Sequence, residues 1–195
     1  MSQFLETIAI IDKVPQHVEF HQKRIEKCSL VHLSPFLNII KVPTFRKYKL
    51  SILYNETQIE KFQLAPYSPS TIKRFKILID NDIDYSFKFA DRSHLVQLKM
   101  KSQGCDEVII IKNGEVTDTT FSNLLFWDGV KWITPEHPLL KGTCRDRLLK
   151  NGLISTQKIS VNQLSTFSKM MLINAMLDFD EERVIPIDSR TFSFD

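Results

Sequence analysis

A chain of 195 residues, 43% hydrophobic and 25% charged, has room for one large domain or two small ones sharing a core. Its formal net charge of +3 is scattered, apart from Arg46-Lys47-Tyr48-Lys49 and Lys73-Arg74, so no nucleic-acid-binding face is expected; a small anionic ligand suits the balance. No apolar run reaches the length of a membrane span, the first residues carry no secretory leader, and three cysteines without paired spacing (Cys28, Cys105, Cys144) point to reduced thiols and a cytoplasmic protein.

In chain order, residues 7–11 form a short apolar strand, and Pro15 opens a helix running to about Cys28, with Val18, His21, Ile25 and Cys28 on one face. Residues 49–54 and 59–64 read as strands joined by Asn55-Glu56-Thr57, while residues 71–79 fit helix and strand equally. Asp80-Asn81-Asp82 is the expected boundary, giving a small α/β lobe over 1–81 and a larger strand-rich lobe over 82–195. Beyond it, Asp91 caps a helix that ends at Gly104, and residues 107–112 enter a hairpin through Asn113-Gly114. A second hairpin turns at Asp128-Gly129, a helix runs from about Thr143 to Asn151, and residues 171–174 form a buried strand. The class is α+β.

Three stretches carry candidate chemistry. Lys88 lies between Phe87 and Phe89 on a segment that alternates as a strand, which would turn the amine inward; a desolvated amine has a lowered pKa and is a better nucleophile and base. The alternative is a solvated surface lysine. Asp118, in Val116-Thr117-Asp118-Thr119-Thr120-Phe121-Ser122-Asn123-Leu124, reads alone as a turn residue after a hairpin. Gly142-Thr143-Cys144 precedes a helix, so backbone N–H groups there could receive an anion, or it is a plain helix start. Upstream, Arg24 in His21-Gln22-Lys23-Arg24 reads by itself as a solvated helix residue, although its planar guanidinium has the shape for a two-point contact with an anion. The remaining histidines have no metal-ligand spacing, and Trp127 and Trp132 read as core.

A lysine, then a carboxylate on a strand turn, then a glycine-threonine turn opening a helix is the parts list of a pyridoxal phosphate site. In this order the set resembles the class IV aminotransferases, pyridoxal 5'-phosphate enzymes of fold type IV, and within them the short 4-amino-4-deoxychorismate lyases. The resemblance implies a two-lobed fold, D-amino acid aminotransferase-like, with the cofactor between the lobes. It implies that Lys88 bonds the cofactor aldehyde, that Asp118 keeps the pyridine nitrogen protonated, and that Asn123 holds that turn. Many relatives carry glutamate where Asp118 stands, one methylene longer. Phosphate contacts would come from Arg24, from Thr143 and Cys144, and from backbone amides of the Asn174-Ala175 turn. Arg46 and Tyr67 are weaker candidates for a substrate carboxylate and hydroxyl.

Most members of the family begin with an extra stretch before the residues matched to Leu5-Glu6-Thr7, and a glycine-rich loop is reduced here to Leu64-Ala65-Pro66-Tyr67. A truncated small lobe is therefore expected. The implied activity is cleavage of 4-amino-4-deoxychorismate to 4-aminobenzoate and pyruvate, a folate-pathway step, by a homodimer. An aminotransferase for branched-chain or D-amino acids, and a non-catalytic pyridoxal phosphate-binding protein, remain open.

Overall fold

The computed structural model describes residues 2–43 and 46–194. The chain divides into two compact units, Met1–Ser70 with Phe87–Asp91, and Thr71–Ser86 with Arg92–Asp195. This differs from the expected break after residue 81. Asp80-Asn81-Asp82 is a local turn inside the second unit, where the Asp80 carboxylate accepts the Asp82 and Ile83 amides at 3.2 and 3.0 Å. The short Phe87–Asp91 segment instead returns to the first unit. There the Leu5 amide donates to the Lys88 carbonyl and the Ala90 amide to the Gln3 carbonyl, both at 2.9 Å.

The first unit contains β1 (Phe4–Ile11), β2 (Val14–Pro15), α1 (Val18–Ile25), α2 (Leu33–Leu37), β3 (Tyr48–Tyr54) and β4 (Ile59–Pro66). Its antiparallel sheet has the order β2-β1-β3-β4. The helix expected from Pro15 starts later because Asp12 and Lys13, both with positive φ (48° and 67°), close a two-residue hairpin that places Pro15 in a strand. On β1 the period of two buries Phe4, Glu6, Ile8 and Ile10 on one face. Ile25, Leu33, Leu50, Ile52 and Tyr54 complete that core, so a carboxylate is built into an apolar layer.

The second unit opens with β5 (Phe75–Ile79), which resolves the ambiguous 71–79 stretch as strand, and α3 (Ser93–Met100). That helix starts after Arg92 rather than Asp91, has no side-chain cap, and ends before Gly104, whose φ of 82° closes a separate turn. Then follow β6 (Glu107–Lys112), β7 (Glu115–Thr119), β8 (Asn123–Trp127), β9 (Trp132–Pro135), α4 (Thr143–Lys150), β10 (Ser155–Gln157), β11 (Lys169–Ile173), β12 (Ile185–Pro186) and β13 (Phe192–Ser193). One sheet has the order β13-β5-β6-β7, the other β10-β9-β8-β11-β12. β5 and β6 pair in parallel, and their apolar residues are buried on both faces, Ile79 excepted. The β6–β7 hairpin turns at Asn113-Gly114, both with positive φ, as the sequence predicts. Cys144 and Leu148 of α4 pack on Leu125, Trp132, Met171 and Ile173. β11 ends at Ile173, which leaves Asn174 in the following turn. Among the described residues no helix is long and apolar enough to cross a membrane.

Candidate active site

In the first unit Lys88 is half-buried, on a segment that forms one isolated bridge (Phe4 to Phe89) rather than the expected alternating strand. The cause is local: the Phe89 amide donates to the Phe87 carbonyl at 2.8 Å, a three-residue turn that stops pairing. Phe4, Phe87 and Phe89 meet with ring centroids 5.8–6.2 Å apart, so apolar rings flank the amine on both chain sides.

Arg24 turns its fork onto Glu6. Its Nε donates to Glu6 Oε2 at 3.0 Å and its Nη2 to Oε1. His21 Nδ1 stands 2.9 Å from the same Oε1, and the Thr7 amide donates to it at 2.8 Å. Burial would raise the pKa of this fully buried carboxyl, but the Arg24 guanidinium and His21 outweigh it and hold Glu6 well below the carboxylate range. Glu6 and His21 were not singled out as site residues from sequence, although Glu6 is part of the Leu5-Glu6-Thr7 match. The signal for Glu6 was a charge on the core-facing phase of an apolar strand, and for His21 its place on the apolar face of α1 beside Ile25. Arg46 is exposed and Tyr67 half-buried at one end of the β3–β4 pair, where the Tyr67 amide donates to the Lys47 carbonyl at 2.9 Å. Lys47 Nζ lies 5.8 Å over the Tyr67 ring, a cation that the sequence reading passed over.

In the second unit Asp118 sits on β7 with 4% exposure. Its Oδ1 accepts from Asn123 Nδ2 at 2.7 Å and its Oδ2 from the Leu140 amide at 2.9 Å. Burial pushes Asp118 up to about 7, against the opposing pull of these donors and of the Arg145 charge. Arg145 is itself buried, with Nη2 on the Pro135 carbonyl at 2.9 Å; the motif containing it was read but its role was not. Arg92 Nη2 donates to the Thr120 carbonyl at 2.6 Å and braces the turn after Asp118.

Gly142 is the N-cap of α4 and supplies no side-chain cap, so the first amides, those of Thr143 and Cys144, open at the positive helix end. The Cys144 thiol is pushed up to about 12 by burial and by nearby Asp178, and stays neutral. In the Asn174 turn the side-chain Oδ1 accepts the Met176 and Leu177 amides at 2.7 and 2.9 Å, and Nδ2 donates to the Phe121 carbonyl at 3.3 Å. Asn174 therefore shapes the turn, and three of the turn's amides, those of Asn174, Met176 and Leu177, are engaged within it. Of the four sequence-predicted elements of this unit, the acid, its amide partner and the helix start converge on β7, β8 and α4, while the Asn174 turn follows β11.

This donor set fits pyridoxal 5'-phosphate. A buried carboxylate poised near neutrality calls for a cationic N–H partner, and an uncapped helix start calls for an anion. The family model of the class IV amino-transferases matches residues 62–181. The chain belongs to the class IV aminotransferases. These are pyridoxal phosphate-dependent enzymes, and the mixed α/β architecture described above is their fold type IV. An uncharacterized protein of Haemophilus influenzae is 37% identical over 188 residues, spanning 90% of this chain and 98% of that protein. A proposed 4-amino-4-deoxychorismate lyase of Haemophilus somnus 129pt is 32% identical with a TM-score of 0.79, spanning 92% of this chain and 98% of that one. A hypothetical aminotransferase of Mycobacterium tuberculosis in its pyridoxal phosphate-bound form shares the fold at 15% identity and a TM-score of 0.74, over 100% of this chain and 84% of that one.

Two stability measurements probe these acids in the class IV chain. Glu6→Ala should cost about 3–5 kcal/mol in urea unfolding, because it leaves the half-buried Arg24 guanidinium and the buried His21 without their carboxylate. The wild-type contribution of Glu6 is full above the unfolded carboxylate pKa and is lost only as pH falls toward its much lower folded value. Asp118 has the opposite sign. Its folded pKa lies above the unfolded one, so the cofactor-free protein should lose stability as pH rises from about 4 toward about 7. Asp118→Asn should flatten that slope, whatever its effect on absolute stability.

Proposed function

We propose that this class IV enzyme is a pyridoxal phosphate-dependent lyase that converts 4-amino-4-deoxychorismate to 4-aminobenzoate and pyruvate. The observation that carries the reading is the near full-length likeness to the Haemophilus somnus protein proposed to have that activity. Lys88-Phe89-Ala90-Asp91-Arg92 and Ile173-Asn174-Ala175-Met176, which resemble the lyase branch of the family, support it.

Lys88 would hold the cofactor aldehyde through Nζ. With substrate bound, the Lys88 amine would take the proton from the amine-bearing carbon and supply a proton to the leaving enolpyruvyl group, acting as base and then acid. Bound pyridoxal phosphate supplies the electron sink for that deprotonation. Asp118 holds a proton on the ring nitrogen. Arg24, steadied by Glu6, and the amides of Thr143, Cys144 and the Asn174-Ala175 turn take the phosphate. Arg46 and Tyr67 receive the substrate carboxylate and hydroxyl. Aromatisation of the ring drives the step, so no 2-oxo acid acceptor is needed. A homodimer in the cytoplasm completes the reading, and exposed Leu30, Ile39 and Phe62 in the first unit are apolar surface that such an assembly could cover.

Cofactor-loaded protein given 4-amino-4-deoxychorismate without any 2-oxo acid should produce fluorescent 4-aminobenzoate, and Lys88→Ala should abolish both turnover and borohydride trapping of the cofactor. Product formation only after a 2-oxo acid is added would assign the protein to the aminotransferases. No turnover with any amine, with the cofactor still trapped on Lys88, would make it a binding protein. Light scattering at micromolar concentration should give twice the chain mass; a monomer contradicts the dimer.

A further inference from the structure

The reading of Asp118 as ring acid and of Gly142-Thr143-Cys144 as phosphate turn, on which this inference rests, does not explain why position 142 is a glycine or how the acid is held. The geometry points to Asn123 as the positioning residue of the ring acid, with Gly142 lacking a side chain in order to admit it. The two together tie the acid to the phosphate turn.

Asn123 is 5% exposed and begins β8. Its Nδ2 donates to Asp118 Oδ1 at 2.7 Å and to the Leu140 carbonyl at 2.8 Å. Both partners accept, so the amide has one orientation that satisfies them. The Leu140 amide meanwhile donates to Asp118 Oδ2 at 2.9 Å. Acid, amide and the residue two places before the helix cap thus form a closed ring of three hydrogen bonds, in which Asp118 and Asn123 are buried and Leu140 is half-buried.

Gly142 completes the ring sterically. Its backbone is extended (φ −70°, ψ 147°), a conformation open to any residue, so chain geometry does not call for glycine here. A Cβ at this position would stand 2.1 Å from Asn123 Oδ1 and 3.2 Å from its Cγ. Asn123 cannot swing aside without releasing both hydrogen bonds in a buried site. The glycine is therefore a requirement of Asn123, separate from any need for a phosphate to approach the backbone.

A double-mutant cycle of Asn123→Ala and Gly142→Ala tests this with two readouts on the full chain. The first is the melting temperature. Gly142→Ala should lower it in the wild-type background and have little effect in the Asn123→Ala background. Equal losses in both backgrounds would overturn the packing claim. The second is the affinity for pyridoxal 5'-phosphate relative to its 1-deaza analogue, which has no ring nitrogen. Asn123→Ala and Gly142→Ala should each reduce that preference, by roughly tenfold for loss of a hydrogen bond to a charged group. An unchanged preference in Asn123→Ala would overturn the positioning role. Asn123→Asp keeps the shape and loses the donors. It should lose the preference while leaving the penalty of Gly142→Ala in place; relief of that penalty would also count against the packing claim. Failure of the wild-type chain to take up either cofactor would overturn the cofactor reading and the positioning role with it, while the melting cycle still judges the packing.

Discussion

The structure turns on what a carboxylate does when it is taken out of water. Glu6, Glu107 and Asp118 are the acids buried among the described residues, and the surroundings of Glu6 and Asp118 drive those two in opposite directions. Glu6 receives a guanidinium fork and an imidazole and is held ionised. Asp118 receives a side-chain amide and backbone amides, dipoles without net charge, and burial wins. Arg145 acts on it through space but makes its own hydrogen bond to the Pro135 carbonyl. The first acid is internally satisfied and suits a structural role. The second is left near the midpoint of its titration, where a ligand bearing a cationic N–H would stabilise the ionised form most.

The same contrast explains how each unit is organised. In the first, the period of two on β1 sets Glu6 among Phe4, Ile8 and Ile10, and α1 brings His21 and Arg24 down to meet it. The ion pair fixes the helix on the sheet, and it also fixes the plane of Arg24. In the second, β7 delivers Asp118, the tight turn from Thr119 to Ser122 returns the chain, and β8 delivers Asn123. The Leu140–Gly142 stretch then closes over both before α4 begins. Asp118 and Asn123 are hydrogen-bonded to Leu140, two residues before the helix cap, so a displacement of the acid is transmitted toward the start of α4.

Much of this was legible in the sequence. Asn113-Gly114 and Asp128-Gly129 marked hairpins because only a few residue types tolerate positive φ there, and the Lys88, Asp118 and Gly142 motifs carried enough spacing to name the family. The misreadings have specific causes. Pro15 fits a helix start as well as a strand edge, and the non-glycine turn at Asp12 and Lys13 gives no strong signal. Asp80-Asn81-Asp82 has the composition of a linker, but turn chemistry does not reveal which sheet the neighbouring strand joins; the parallel pairing of β5 with β6 decides that. The alternation around Lys88 was interrupted by a three-residue turn. The steric reason for Gly142 depends on a contact 19 residues distant in sequence, which no local pattern encodes.

The central claim is that a buried aspartate keeps the cofactor ring protonated. It is tested most directly by the nitrogen-15 chemical shift of ring-labelled pyridoxal phosphate bound to the protein at neutral pH. The account predicts the shift of a protonated pyridinium in the wild type and that of a neutral pyridine in Asp118→Asn. A neutral pyridine in the wild type, with the cofactor demonstrably bonded to Lys88, would contradict it.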